Sequence, residues 1–153
     1  LIVEPFSVSH DAADPIGINV FAGNNKATIV TDTGVISDDI LRRIDDTTLL
    51  VLEANYDPHM LRFGPYQPFL KQRVASDEGH LSNEMAAQAL LMMKRPDFMQ
   101  VILAHRSENN NNSVLVTQTI GKMLVDGGVR IGPEMKLQHG QPNEIVSIQS
   151  VKR

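Results

Sequence analysis

The chain has 153 residues with a formal net charge of −4, and it contains no cysteine and no tryptophan. This length suits one domain with its own core, and the lack of cysteine excludes a disulfide framework and a thiolate metal site. The negative charge argues against a bulk electrostatic grip on nucleic acid, although a local basic patch remains compatible with it. No apolar run approaches the roughly 20 residues of a membrane span. With no secretory signal visible, we expect a cytoplasmic protein that does not bind membranes.

The predicted strands and helices alternate along the chain. Strand patterns, which are short apolar runs or alternating positions, occupy residues 2–9, 17–22, 27–31, 49–52, 98–104, 129–138 and 144–148. The run at 49–52 is apolar throughout, which is typical of a strand buried on both faces. Ser37, Ser82 and Ser113 each precede a helical pattern and are predicted N-caps. Residues 57–73 contain three prolines and predict an irregular loop with short helical turns. These elements predict an α/β fold with no repeat and no domain linker.

Three residues with metal-ligand chemistry follow apolar strand patterns. His10 ends "FSVSH", Asp32 ends "ATIVTD" and His105 ends "VILAH", and a loop signal follows each one. Imidazole and carboxylate are ligands that zinc, manganese or iron would use. In open α/β sheets this edge is where sites form. The alternative is structural: Asp32 precedes Thr33–Gly34 and could serve only an Asx-turn, and the histidines could be solvated.

A second pair of candidates is Glu53 and His80. Glu53 ends the apolar run "LLVLE", where a charge is unlikely unless it is paired or functional. His80 lies just before the helix predicted after Ser82. A histidine oriented by a carboxylate is the usual arrangement for proton transfer to a leaving group. A structural ion pair for Glu53 and a helix-entry role for His80 remain the alternative.

The third group is basic. "LRFGPYQPFLKQR" places three cations and one tyrosine in a single proline-rich segment, and a further arginine follows His105. Such residues could hold a phosphodiester backbone, although solvated surface charge would look the same. The candidate substrate-binding residues are Arg62, Tyr66, Lys71, Arg73 and Arg106.

Five motifs, in order, resemble the metallo-β-lactamase-fold proteins of the WalJ (YycJ) type, which are related to the RNase Z group. They are "VSHDAADPIG", "IVTDTGVISDDI", "VLEANYDPHMLRFGPY", "LKQRVASDEGHLSN" and "ILAHRSENNN". The resemblance covers about residues 3–125. It implies an αββα sandwich and a bacterial, cytoplasmic hydrolase, a nuclease or exonuclease, with two divalent metals, zinc or manganese. DNA or RNA would be its partner through the basic segment.

The resemblance also implies roles for individual residues. His10 and His105 would each bind one metal, and Asp32 would bridge both. His80 would act as the acid that protonates the leaving oxygen, with Glu53 as its carboxylate partner. The cleavage would use water activated by two metals.

The family's His-x-His-x-Asp-His signature is not in these 153 residues. We therefore expect one partial domain over residues 1–153, the C-terminal half of the sandwich: a mixed sheet with helices on one face. Metal binding by this half alone should be weak, and an uncovered sheet face should favour self-association or retention of the N-terminal half. Two alternatives stay open: a non-catalytic half-domain that serves as a binding or assembly module, and a hydrolase of a thioester, lactone or β-lactam on the same fold.

Overall fold

Six strands form one sheet within residues 1–148, the part of the chain that the computed structural model describes. In chain order the strands are β1 (Ile2–Ser7), β2 (Ile16–Ala22), β3 (Asn25–Val30), β4 (Leu49–Glu53), β5 (Met99–Ala104) and β6 (Met135–His139). They lie in the sheet in that same order. The first three pair antiparallel, and β3 to β6 pair parallel. The mixed α/β sheet predicted from the sequence is therefore confirmed.

Helices supply the connections between the parallel strands, as parallel pairing requires. The helices are α1 (Asp38–Ile44), α2 (Pro58–Phe63), α3 (Pro68–Val74), α4 (Asn83–Met92) and α5 (Ser113–Asp126). The predicted caps of α1 and α4 are confirmed, because Ser37 Oγ accepts from Ile40 N at 3.2 Å and Ser82 Oγ accepts from Met85 N at 3.1 Å. None of the helices in the described residues is long and apolar enough to cross a bilayer.

Three sequence predictions about these elements are wrong. The N-cap of α5 is Asn112, whose Oδ1 accepts from Leu115 N, and Ser113 is already helical. Asparagine and serine cap equally well, so the sequence cannot choose between neighbours. In the proline-rich segment the predicted short helical turns are present as α2 and α3, but the prediction of an irregular loop is wrong over these residues, because Pro58 and Pro68 stand at the first helical position, which suits proline. The strand predicted at 129–138 is confined to β6, and residues 144–148 form no strand.

One face of the sheet carries the core. Alternate strand residues point to the same face, and on one face these residues are buried: Val30, Leu50, Leu52, Val101 and Leu103. They share one buried cluster with Ile44 of α1, Leu90 of α4 and Ile120 of α5. On the other face a row of paired neighbours is partly exposed, namely Ile18, Ile29, Val51 and Ile102. The prediction that residues 49–52 are buried on both faces is therefore wrong, since this structure covers only one face.

The connection between β4 and β5 leaves and returns at a single place. Asn55 N donates to Leu81 O at 3.0 Å, and Asn83 N donates to Tyr56 O at 2.9 Å. These bonds hold together the two ends of the segment that lies between them. We call residues 58–75, which comprise α2, α3 and their connection, the arm. The arm has a small core of its own, in which Tyr66 and Leu70 pack against Tyr56, Leu61 and Val74.

Candidate metal and catalytic site

The direction of the strands brings the candidate residues to one edge. Strands β1, β3, β4 and β5 all run the same way, so their carboxyl ends share an edge of the sheet. The Nε2 atoms of His10 and His105 each lie 3.6 Å from the same atom, Oδ1 of Asp32. His80 lies between the two histidines, with its ring centre 5.1 Å from that of His10 and 5.2 Å from that of His105.

Two of these residues hold an uncommon backbone conformation. Asp32 has φ 55° and His105 has φ 52°, both in the left-handed region. This region is uncommon for residues other than glycine, and such conformations collect at functional sites. The conformation of His105 is supported by Asn55, whose Nδ2 donates to His105 O at 2.8 Å. The backbone thus turns sharply at the two strand ends where the side chains converge.

A buried carboxylate lies behind the histidines. Glu53 is fully buried, and its Oε1 accepts from Nδ1 of His80 at 2.7 Å and from Nδ1 of His105 at 2.6 Å. Its Oε2 accepts from the backbone N–H groups of Thr33 at 3.1 Å and Leu81 at 3.4 Å. The structure thus brings Glu53 to His80, as the motif resemblance implies. It also joins Glu53 to His105, which the sequence did not indicate.

Hydrogen bonding fixes which nitrogen of each imidazole is free. Nδ1 of His10 lies 3.0 Å from Gly79 O, a carbonyl that can only accept. Nδ1 of His80 and of His105 must likewise donate to the ionised Glu53. A neutral ring then carries its lone pair on Nε2. Such backing of a histidine by a carbonyl or carboxylate is typical of metal ligands.

The same contacts shift two pKa values. Burial opposes ionisation of Glu53, but the hydrogen bonds from His105 and His80 outweigh it and hold the pKa of this carboxyl below its ordinary value. The hydrogen bond to Glu53 raises the pKa of His105, against the opposing effect of burial. Glu53 and His105 therefore stabilise each other in their charged forms.

The predicted basic residues divide between two places. A cleft of about 400 Å³ opens beside His80 and His105, and its lining includes Tyr66, Arg73 and Arg106. Arg62 and Lys71 do not line that cleft. They line a separate cleft of about 360 Å³ on the arm, beside Tyr56 and Leu61. Within residues 1–148, Nη1 of Arg106 is buried and has no hydrogen-bond partner.

A network of buried asparagines was missed from the sequence. Asn83 and Asn111 exchange two hydrogen bonds, at 3.1 and 2.8 Å, and Asn111 Nδ2 also donates to Ala54 O at 3.0 Å. Together with Asn55 they tie the loop after β5 to the loop after β4. A run of four asparagines after a metal-type histidine was the available signal, because the amide both donates and accepts.

Thr33 and Asp11 were also missed. Thr33 is fully buried, and its Oγ1 accepts from Ser9 N at 3.3 Å while its N–H binds Glu53, so it links the loops that carry His10 and Asp32. Asp11 accepts hydrogen bonds from both Nε and Nη2 of Arg73, and its Oδ1 lies 3.5 Å from Nε2 of His10. Nothing in the spacing of Asp11 and Arg73 indicated that they meet.

Comparison with known proteins gives relatives but no family model, since none matches. The chain is 36% identical over 149 residues to the exodeoxyribonuclease YycJ of Bacillus anthracis, covering 97% of this chain and 56% of that protein. It is 33% identical over 141 residues to the exodeoxyribonuclease WalJ of Streptococcus pneumoniae strain D39, covering 92% and 52%. The chain thus spans about half the length of the curated relatives it matches. The resemblance inferred from the motifs is confirmed.

Solved structures give the fold. The metallo-β-lactamase fold protein YhfI of Bacillus subtilis superposes with a TM-score of 0.60 at 12% identity, covering 91% of this chain and 46% of that one. Zn²⁺-bound PqqB of Methylobacterium extorquens gives 0.55 at 17% identity, covering 90% and 44%. The short form of human tRNase Z gives 0.51 at 22% identity, covering 69% and 36%. This likeness shows a shared fold over part of each neighbour.

Proposed function

We propose that the chain forms half of a metal-dependent nuclease. The chain has the metallo-β-lactamase fold, and nearly all of its own length matches the exodeoxyribonucleases WalJ and YycJ. The observation that carries the proposal is the position of Asp32 Oδ1, which lies 3.6 Å from both His10 Nε2 and His105 Nε2. Three donor atoms converge there without hydrogen bonding to one another. That arrangement suits a carboxylate shared by two cations.

The donor set fits two divalent ions such as zinc or manganese. Each imidazole is backed at Nδ1 and offers Nε2, and Asp32 offers a carboxylate oxygen. Two bound metal ions would supply an activated water and neutralise charge on the phosphate. Dedicated sites use at least three protein ligands for each ion. We therefore propose that the rest of the full-length protein completes the ligand set, with residues 1–153 as the C-terminal half of the domain.

The remaining site residues have separate roles in this proposal. His80 donates a hydrogen bond from its Nδ1–H to Glu53, so Nε2 is the nitrogen that faces away. When the ring carries a proton on both nitrogens, the Nε2–H can pass its proton to the leaving oxygen. Glu53 orients that ring and the His105 ring together. Arg106 offers a buried guanidinium nitrogen without a partner in the described residues, and Arg73 lies across the same cleft. These cations suit a phosphodiester, for which planar guanidinium groups make paired hydrogen bonds.

Two other functions remain candidates for the same fold. Hydrolysis of a thioester, lactone or β-lactam would use the same metal ligands but would not need His80 and two arginines in the cleft. A non-catalytic binding module would need neither metal nor acid. The Nδ1 contacts of His10 and His105 argue against the module, because they leave both Nε2 atoms free beside Asp32, as in metal ligands.

The test uses full-length protein from the source gene. Bound metal is measured by mass spectrometry, and hydrolysis is measured on a single-stranded oligodeoxynucleotide and on bis(p-nitrophenyl) phosphate. We expect bound metal and hydrolysis of both substrates, and loss of both properties in Asp32→Asn. Asp46→Asn is the matched control, because Asp46 also has a left-handed backbone, φ 56°, but pairs with Lys94 away from the site. A full-length protein that binds no metal, or that hydrolyses neither of these two phosphodiesters, would rule the proposal out.

A further inference from the structure

The arm differs in charge from the rest of the molecule. The whole chain has 14 Lys and Arg against 18 Asp and Glu. Residues 58–75 contain three cations, Arg62, Lys71 and Arg73, and no carboxylate. Arg73 pairs with Asp11, but Arg62 and Lys71 form no ion pair within residues 1–148. The arm is therefore a basic segment of an acidic chain.

The arm also exposes two phenylalanines. Phe63 is 67% exposed and Phe69 is 71% exposed, whereas the arm's own core is built from other residues. Phe63 stands at the end of α2 and Phe69 near the start of α3, on either side of the connection between these helices. Neither ring is needed to bury apolar surface. Two large aromatic faces in solvent on one short element indicate a partner that covers them.

Cation and aromatic side chains are interleaved on this surface. The guanidinium of Arg62 lies 5.3 Å from the ring centre of Phe63, and His59 contacts the same ring at 4.6 Å. Lys71 Nζ donates to Arg62 O at 2.8 Å, which draws the two cations together. They line the 360 Å³ cleft on the arm. A partner for this surface must offer negative charge and flat ring faces at close spacing.

The outer surface of the arm continues into the catalytic cleft. Tyr66 follows Phe63 in the connection, and Leu70 follows Phe69 in α3; both line the cleft that contains His80 and His105. Arg73, at the end of the same helix, lines it as well. The arm thus presents aromatic and basic residues from its exposed side down to the proposed acid.

We propose that the arm binds single-stranded nucleic acid, with bases stacked on Phe63 and Phe69 and phosphates bound by Arg62 and Lys71. This inference rests on the proposed function, because it specifies which form of nucleic acid the proposed nuclease would bring to its active site. Stacking on aromatic rings combined with cationic contacts is how proteins bind single strands without reading sequence. A duplex hides its base faces within the stack, so it cannot use the two rings. The arm therefore selects single-stranded ends.

The test measures binding by fluorescence anisotropy on full-length protein, with EDTA present to prevent cleavage. Three labelled probes have equal length: a single-stranded oligodeoxynucleotide, the corresponding duplex, and an abasic strand that keeps the phosphates and lacks the bases. The double variant Phe63→Leu/Phe69→Leu keeps apolar bulk and removes the rings. Met92→Leu is the control, because Met92 is equally exposed at the end of α4.

We expect the double variant to weaken binding of the single strand by about tenfold or more, from the loss of two stacked bases. Binding of the duplex and of the abasic strand should change little, and Met92→Leu should match the parent protein. Arg62→Gln should weaken binding of the single strand and of the abasic strand to the same extent. Replacement of both rings by tryptophan should restore single-strand binding. Hydrolysis of bis(p-nitrophenyl) phosphate, measured with metal present, should be unchanged in the control variant Met92→Leu.

Two results overturn the inference. Unchanged single-strand binding in the double variant would remove the rings from the binding surface. An equal loss on the abasic strand would show that the rings act without stacking, as they would if the arm docked another protein or merely lost shape. Either result leaves the proposed function intact as long as the small phosphodiester is hydrolysed. Absence of that hydrolysis in the parent protein would count against the proposed function instead.

Discussion

The buried carboxylate of Glu53 lies 2.6 Å from Nδ1 of His105, although the two residues stand 52 positions apart in the sequence. The same oxygen accepts from His80 at 2.7 Å. One group therefore orients a proposed metal ligand and the proposed acid. This coupling means that a change at Glu53 should affect metal binding and proton transfer together.

Glu53→Gln should weaken metal binding by about 10–100-fold, the usual effect of removing the partner behind a ligating histidine. The amide replaces one of the two carboxylate oxygens by an NH2 group, and because each oxygen accepts two hydrogen bonds, two donors are then left facing that NH2 group. The variant should also lose about 1–3 kcal/mol of unfolding free energy. Metal titration and urea unfolding measure the two effects, with Glu134→Gln as control because Glu134 pairs with Arg130 at the surface. Parent-like metal affinity would show that Glu53 does not position His105.

His80→Ala in the full-length protein should reduce turnover by about 10²–10⁴-fold, the range for general acid–base catalysis. Metal content should stay at the parent level, because His80 is assigned to proton transfer. The assignment is open to direct test, since donor atoms of His10, Asp32 and His80 all lie within 4.8 Å of one another. Loss of metal in this variant would make His80 a ligand.

Asn111→Ala should destabilise the fold by about 1–3 kcal/mol, because Asn83 and the carbonyl of Ala54 would lose their buried partner. The matched control is Asn109→Ala. Asn109 belongs to the same asparagine run, but it is exposed, and its Nδ2 makes a long contact of 3.5 Å with Tyr66 OH. Urea unfolding of the two variants gives the comparison. Equal stabilities would mean that the buried network contributes nothing that water cannot replace.

Arg106→Gln should lower the salt dependence of single-strand binding by nearly one unit of slope, as expected for one lost phosphate contact. The reason is its buried Nη1, which has no protein partner in the described residues. Arg130→Gln is the control, since Arg130 is exposed and paired with Glu134. Binding isotherms across a salt series measure the slope. The same slope in parent and variant would leave Arg106 as a structural residue.

The isolated chain of residues 1–153 should self-associate, because Ile18, Ile29, Val51 and Ile102 form a partly exposed apolar row on one sheet face. Ile29→Lys, at a position that is already 42% exposed, should shift the population toward monomer in light scattering. The isolated chain should also bind metal more weakly than the full-length protein does. A monomeric parent chain with two tightly bound metals would refute the half-domain proposal.

The sequence predicted what depends on local pattern. Strands, two of the three helix caps and the strand-end placement of His10, Asp32 and His105 all follow from residue order, and parallel pairing then brings the ends together. It could not predict the second partner of Glu53 or the pairing of Asp11 with Arg73, because those contacts depend on loop paths between distant segments. The prolines of residues 57–73 favoured the prediction of an irregular loop, because proline disrupts the interior of a helix. The same residue is favoured at the first position of a helix, which the sequence pattern alone does not distinguish.

The closed base of the arm has a consequence for how such a protein can diversify. The bonds from Asn55 to Leu81 and from Asn83 to Tyr56 hold the two ends together whatever lies between them. His80 N also donates to Val74 O at 2.9 Å, within the arm. A longer, shorter or exchanged arm should therefore leave β4, β5 and the Glu53 carboxylate in place, provided that His80 and this bond are kept. Polymer specificity becomes a replaceable part, separable by grafting from the chemistry that cleaves the bond.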